Sequence, residues 1–211
     1  MRSSRAAAMS LLCAPLLVAV ALAAVAGTAP VAVAAPAAQS AFSRWTLDFK
    51  PGDLRLYVDP TTKKAYWYMT YRVVNRTGDD RMWAPRFDLL SDDGQIQRSG
   101  RDVPSSVSRD LLKLLGNSLL EDQNQVIGQL LQGIEHAKDG LVVWPATSPN
   151  VTELSVFVSG LSGETQPVKN PVTGETVVLS KTLCRDYATH GNAPLQPGVP
   201  VELRDERWVW R

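Results

Sequence analysis

The side chains able to do chemistry in this 211-residue chain are few and scattered. His136 and His190 stand far apart, and beyond the N-terminal apolar run one cysteine remains, Cys184. A zinc site would need all three to converge, and neither histidine has a partner at ligand-like spacing. Solvated loop histidines and a buried, inert thiol are the plainer reading. Ser162 invites a Ser–His–acid reading. However, Gly160-Leu161-Ser162-Gly163 lacks the second glycine of a nucleophile elbow and reads as a tight turn ending a strand. Asp88, Asp92 and Asp93 with Gly94 miss the alternating oxygen-ligand spacing of a calcium loop, so a turn is expected. Asp79 and Asp80 allow a loose cation site or, with Glu164, the acid pair of a hydrolase if they share a cleft. Asn75-Arg76-Thr77 and Asn150-Val151-Thr152 fit the glycan acceptor pattern, which matters only in a eukaryotic secretory route. No glycine-rich phosphate loop is present. The sequence therefore offers no catalytic residue, no metal ligand set and no cofactor motif.

The six tryptophans carry more information. Trp45, Trp67 and Trp144 sit in strand patterns and are expected in the core. Trp83 follows an acidic turn, beside Met82 and Pro85. Trp208 and Trp210 share one strand face with Arg204 and Glu206. An exposed pair of indoles two residues apart stacks on sugar rings or anchors a partner. If packed instead, the pair closes the domain against the N-terminal strand or the helix. With Tyr68, on the mixed face of the central strand, Trp83, Trp208 and Trp210 form the candidate binding set.

These residues must be positioned by extended chain. From Tyr66 to Val74 nearly every residue is β-branched or aromatic, as suits a pleated, half-buried surface. Alternation sends Trp67, Met69, Tyr71 and Val73 to one face, expected to be core. Tyr66, Tyr68, Thr70, Arg72 and Val74 take the other face, expected to meet a loop, a helix or a partner. Asn75 to Asp80 is a turn, after which Phe87 and Leu89 lead a strand returning against 66–74 as a central hairpin. Asp92-Asp93-Gly94 is a second hairpin turn, continued by 95–97.

Earlier in the chain, residues 44–49 and 54–58 read as two strands parted by Pro51-Gly52-Asp53. Later, Val107, Leu111, Leu114 and Leu115 recur at helical spacing. Ser105 or Ser106 is expected to cap that helix and Gly116-Asn117 to end it. Residues 118–124 are ambiguous, 126–131 short and apolar, and 133–138 polar. Strands follow at 141–144, 151–161, 176–187 and 199–211. The pattern predicts a mainly β fold, an antiparallel β-sandwich with one inserted amphipathic helix near 105–116.

Residues 1–35 read as a secretory signal peptide: Arg2 and Arg5, an apolar run from Met9 to Val25, and a small-x-small end at Val33-Ala34-Ala35. An uncleaved N-terminal anchor is the competing reading. Residues 36–43 read as a flexible leader and 44–211 as a single domain. Residues 1–35 hold two of the 22 basic residues and none of the 21 acidic ones, so the remainder carries a formal charge of −1. That gives no footprint for nucleic acid or an anionic membrane. With only Cys184 left, no intramolecular disulfide is possible.

The run Tyr66 to Asn75, Asp92-Asp93-Gly94, Gly160 to Glu164, and Asn170-Pro171-Val172-Thr173-Gly174 together resemble an uncharacterised group of bacterial exported proteins. The tyrosine-rich strand, Asn turn, Pro-x-Phe strand and Asp-Gly turn also look like immunoglobulin-like modules of bacterial surface proteins. The first resemblance implies export, and the second an immunoglobulin-like β-sandwich. Neither implies an activity. The expected role is a secreted or periplasmic, non-enzymatic protein contacting another protein or an envelope component, without a membrane span once the signal is removed. A carbohydrate-binding module and a hydrolase are the alternatives.

Overall fold

The structure is a computed structural model that describes residues 44–147, 151–189 and 196–211. The proposed signal peptide, the leader, Asn150 and His190 lie outside the described residues. Within them the chain forms twelve strands and one helix. In order these are β1 (Asp48–Val58), β2 (Ala65–Asn75), β3 (Arg81–Trp83), β4 (Arg86–Ser91), β5 (Ile96–Arg98) and α1 (Ser105–Leu115). There follow β6 (Leu120–Asp122), β7 (Gly128–Leu130), β8 (Gly133–Pro145), β9 (Glu153–Ser159), β10 (Thr165–Lys169), β11 (Thr176–Ala188) and β12 (Glu202–Trp210). The fold is mainly β and mostly antiparallel; β6 alongside β8 is the parallel exception among the described strands.

One sheet runs β1-β2-β8-β6. Its centre, β2, is buried on both faces, which explains its near-continuous apolar sequence. Trp67, Met69, Tyr71 and Val73 enter the main core. Tyr66 and Tyr68 turn the other way and pack under α1 with Val107, Leu111, Leu141 and Val143. The mixed face of the strand therefore meets a helix. Gly116 ends α1 in a left-handed conformation, its N–H bonding Leu112 O. At the start the expectation fails: Pro104 occupies the capping position, and Ser105 and Ser106 are already helical, with no side-chain cap. Leu114 points outward, because the buried face is centred on Leu111 with Leu112 and Leu115 at its flank.

The second sheet runs β10-β11-β9-β4-β5, with β12 on β11. Leu183 pairs with Val158 of β9 and with Trp208 of β12, so those strands flank β11 on opposite edges. The central hairpin expected between 66–74 and 86–91 does not form. Strand β2 pairs with β1 and β8, and β4 pairs with β5 and β9 in the other sheet. The connection through β3 carries the chain from one sheet to the other. Pro51-Gly52-Asp53 is likewise not a turn: β1 continues through it with a bulge that absorbs the extra residues. Residues 133–138, polar in sequence, are the first half of β8.

Both sheets feed one core. Tyr71 stands 5.3 Å from Phe49 and 4.9 Å from Phe87, ring centre to ring centre, with Trp83 edge-on at 6.1 Å. Trp144, on β8, donates its indole N–H to Phe87 O on β4 at 3.3 Å. Tyr71 lies across Gly140, its cross-strand neighbour; a Cβ there would run into the Tyr71 ring, so any added side chain forces that ring to shift. Chain segments also cross between the sheets. Leu47 N bonds Leu161 O (2.8 Å) and Gly163 N bonds Trp45 O (3.1 Å) before the chain enters β1. At the other end, Gly198 N and Val201 N bond Leu56 O and Leu54 O, both at 2.8 Å, before the chain enters β12.

Candidate binding surface

The long strand β11 lies only partly over the core. Its inward residues Leu183, Arg185 and Tyr187 are buried. Arg185 is tied on all sides: to Glu206 (2.8 Å), to Tyr187 Oη (2.7 Å), and across the sheets to Gly52 O (3.1 Å). Burial pushes the Tyr187 hydroxyl up to about 12. Past Lys181 the burial of the strand falls away. The same side of the strand continues through Leu179, half-buried, to Val177, 44% exposed. Register then places Val168 of β10 opposite Val177, and Trp210 of β12 opposite Lys181.

The result is a stripe on one side of the second sheet: Trp208, Trp210, Leu179, Val177 and Val168. Trp208 and Trp210 are 41% and 43% exposed. Two residues apart on one strand, their Cα atoms are roughly 7 Å apart, the repeat of one strand face. Lys181 stands 5.3 Å over the Trp208 ring and is anchored to Glu164 Oε1 at 2.6 Å. One face of that indole therefore already carries a cation. The β10–β11 hairpin extends the patch, with Val172 exposed at its turn.

The other two candidate residues do not join this surface. Trp83 is fully buried beside Tyr71, and Tyr68 is buried beneath α1. Neither presents a ring face to a ligand, because β3 brings Trp83 into the core and the helix covers Tyr68. Trp67 and Trp144 are core residues; Trp45 packs at the core's margin with Arg81 4.9 Å over its ring. The sequence missed Val177, Leu179 and Val168. Their alternation on either side of the 170–174 turn was the available signal.

The groups considered for chemistry are each engaged locally. Ser162 Oγ donates to Trp45 O at 3.0 Å and accepts from Glu164 N at 3.1 Å, which is turn chemistry. Asp79 pairs with Arg81, Asp80 accepts from Gln132 N, and Glu164 holds Lys181. Asp92 accepts from Thr152 N and Asp93 from Gln95 N. The hydroxyl and the N–H of Thr152, both donating to Asp92, hold its carboxyl below the usual range, the hydroxyl contributing most. Asn75 is buried, donating to Asp79 O and Leu130 O, so its acceptor pattern serves a turn. Cys184 is buried, and burial with the nearby Asp186 pushes its thiol up to about 11. Among the described residues no group of three His, Cys, Asp or Glu could hold a metal ion, and no helix is long and apolar enough to cross a membrane. Comparison with known proteins finds no matching family model, no similar curated protein and no similar solved structure.

Proposed function

We propose that this chain is an exported, non-enzymatic binding protein whose immunoglobulin-like β-sandwich presents the Trp208–Trp210 stripe to another protein or an envelope component. The observation that carries this reading is the indole pair, left outside the cover of the opposite sheet and continued by Leu179, Val177 and Val168. Exposed apolar surface of this kind marks a contact site, and aromatic residues are the side chains most often used as anchors there. The two sheets sharing one core and the antiparallel ladders support a sandwich; α1 on the outer face of the first sheet is an addition to a plain immunoglobulin-like module. The sequence of residues 1–35 supports export, to the periplasm or beyond.

The partner meets the face of β12 more readily than its edge. Glu202, Arg204, Asp205, Glu206 and Arg207 line that strand, and charged edge residues discourage strand addition. A photo-crosslinking side chain placed at Trp210 or Val177 tests the reading in cells. Adducts from both positions, and none from Leu114 on the far side of α1, are expected. Equal adducts from Leu114, or none from any position, would sink it.

The glycan alternative is favoured by the same two indoles at strand-repeat spacing. Binding on a glycan array, lost in Trp210→Ala and Trp208→Ala, supports it; an array without signal removes it. Lys181 over Trp208 leaves Trp210 the freer platform.

A further inference from the structure

The opposite side of the same sheet has a different character. Asp88 on β4 is nearly fully buried, yet three arginines surround it. Arg86 Nη2 lies 3.0 Å from Asp88 Oδ2, Arg211 Nη1 3.2 Å from the same oxygen, and Arg98 Nε 3.8 Å from Oδ1. Register explains the convergence: Arg98 on β5 and Phe157 on β9 are the two cross-strand neighbours of Asp88. Arg211 stacks on Phe157, its guanidinium 4.3 Å from the ring centre. Arg211 Nη1 is out of solvent and makes no hydrogen bond within the described residues. Arg101 and Asp102 complete the wall of a cleft of about 540 Å³.

One buried carboxylate cannot satisfy this many donors. Four guanidiniums face two side-chain carboxylates in the cleft, an excess of two positive side chains over negative ones in its lining. Each guanidinium presents a planar fork of five N–H donors, which matches the oxygens of phosphate and sulfate. Asp88 and Phe157 fix two of the forks in advance, so little freedom is lost when a ligand arrives. The volume falls in the range of small-molecule sites and exceeds what a bare ion fills.

We propose that this cleft is a binding site for an oxyanion group, phosphate or sulfate, borne by a molecule about the size of a sugar. It is independent of the indole stripe: the two lie on opposite sides of one sheet, and either stands without the other. Arg98 and Arg101 are the specificity residues at the rim, Arg86 and Arg211 the donors held closest to Asp88 (3.0 and 3.2 Å), and Asp88 the internal counter-ion that a ligand competes with.

Calorimetric titration of the full chain with inorganic phosphate, sulfate and glucose 1-phosphate tests this. Saturable binding is expected, weakening as sodium chloride rises. Glucose 1-phosphate is expected to bind about tenfold tighter than phosphate; equal affinities would overturn the sugar-sized bearer and the proposal with it. Arg98→Gln and Arg101→Gln should each weaken binding by about tenfold or more, the scale of one lost hydrogen bond to a charged group. Asp88→Asn should tighten it, and Arg109→Gln on α1 should leave it unchanged. Unfolding midpoints of the two rim variants, expected at the wild-type value, separate lost binding from lost folding. No saturable binding of any probe near 10 mM (roughly 3 kcal/mol of affinity), or binding equally strong in both rim variants, overturns the proposal.

Discussion

Two sets of aromatic side chains lie on the same kind of strand face and meet different fates. Trp67, Trp144, Tyr71 and Phe87 are covered because each sheet supplies the other's lid. Trp208 and Trp210 sit on the same side of the second sheet as Leu183 and Val158, but on its outlying strand β12, and both stay exposed. Side chains two residues apart share a face in both. What separates a core from an exposed stripe here is whether another layer lies opposite, and that layer comes from distant sequence.

The strongest way to break this comparison is to truncate an indole in each set. Trp144→Ala should cost about 3–5 kcal/mol, the scale of a fully buried aromatic removed from a core. Trp210→Ala should cost less than about 1 kcal/mol, as at a surface position. Urea unfolding of the two variants measures both. Similar losses would mean that the stripe is core after all.

A smaller loss is expected where the core wall is built around an absent side chain. Gly140→Ala brings a methyl group against the Tyr71 ring, so overpacking of about 1–3 kcal/mol should appear in the same assay. Val177→Ala, on the uncovered continuation, should be nearly silent. A silent Gly140→Ala would show that Tyr71 can move aside and that the wall is looser than its contacts indicate.

Acid reads the comparison in another way. Arg72 Nε and Nη2 bond the two Asp139 oxygens at 2.6 and 2.7 Å across β2 and β8. The Arg72 hydrogen bond is the main reason the Asp139 carboxyl titrates below its ordinary value. A depressed folded pKa stabilises fully above the unfolded value near 4 and is lost as pH falls through the folded value. Asp139→Asn should therefore flatten the decline in stability as pH falls below about 4. Urea midpoints at pH 7 and pH 3 for both proteins measure it; parallel slopes would remove the pair from the account.

The smallest effect is a rate of labelling. Native Cys184 should resist a thiol reagent at pH 8, being buried and having its thiol pushed up to about 11, and should react at once in urea. Val177→Cys, on the same strand but past the cover, should react within the native protein. Equal reactivity of the two thiols would show that β11 is not covered and uncovered as described.

Much of the local structure was legible from the chain. The apolar run of β2 and its two faces, the Asp92-Asp93-Gly94 hairpin, a strand within 151–161, and the Gly116 stop of α1 all follow from neighbouring residues. Pairing was not legible. Phe87 and Leu89 look like the return strand of β2, yet they belong to the facing sheet, because strand partners are chosen by burial across the whole molecule rather than by adjacency. Polar residues 133–138 gave no strand signal, since the start of β8 lies where little covers it. The candidate set divided for the same reason: Trp83 and Tyr68 carry the same composition signal as Trp208 and Trp210 and end inside.

Side-chain alternation along extended segments needs only the geometry of the peptide unit and the type of each residue, so the sequence by itself determined the strand-rich class, the helix and the inward and outward order along each strand. Which face received a cover, which arginines gathered around Asp88, and which indoles stayed in solvent were decided by the tertiary structure. Those outcomes depend on contacts between segments tens of residues apart, whose free energy exists only once both sheets are assembled.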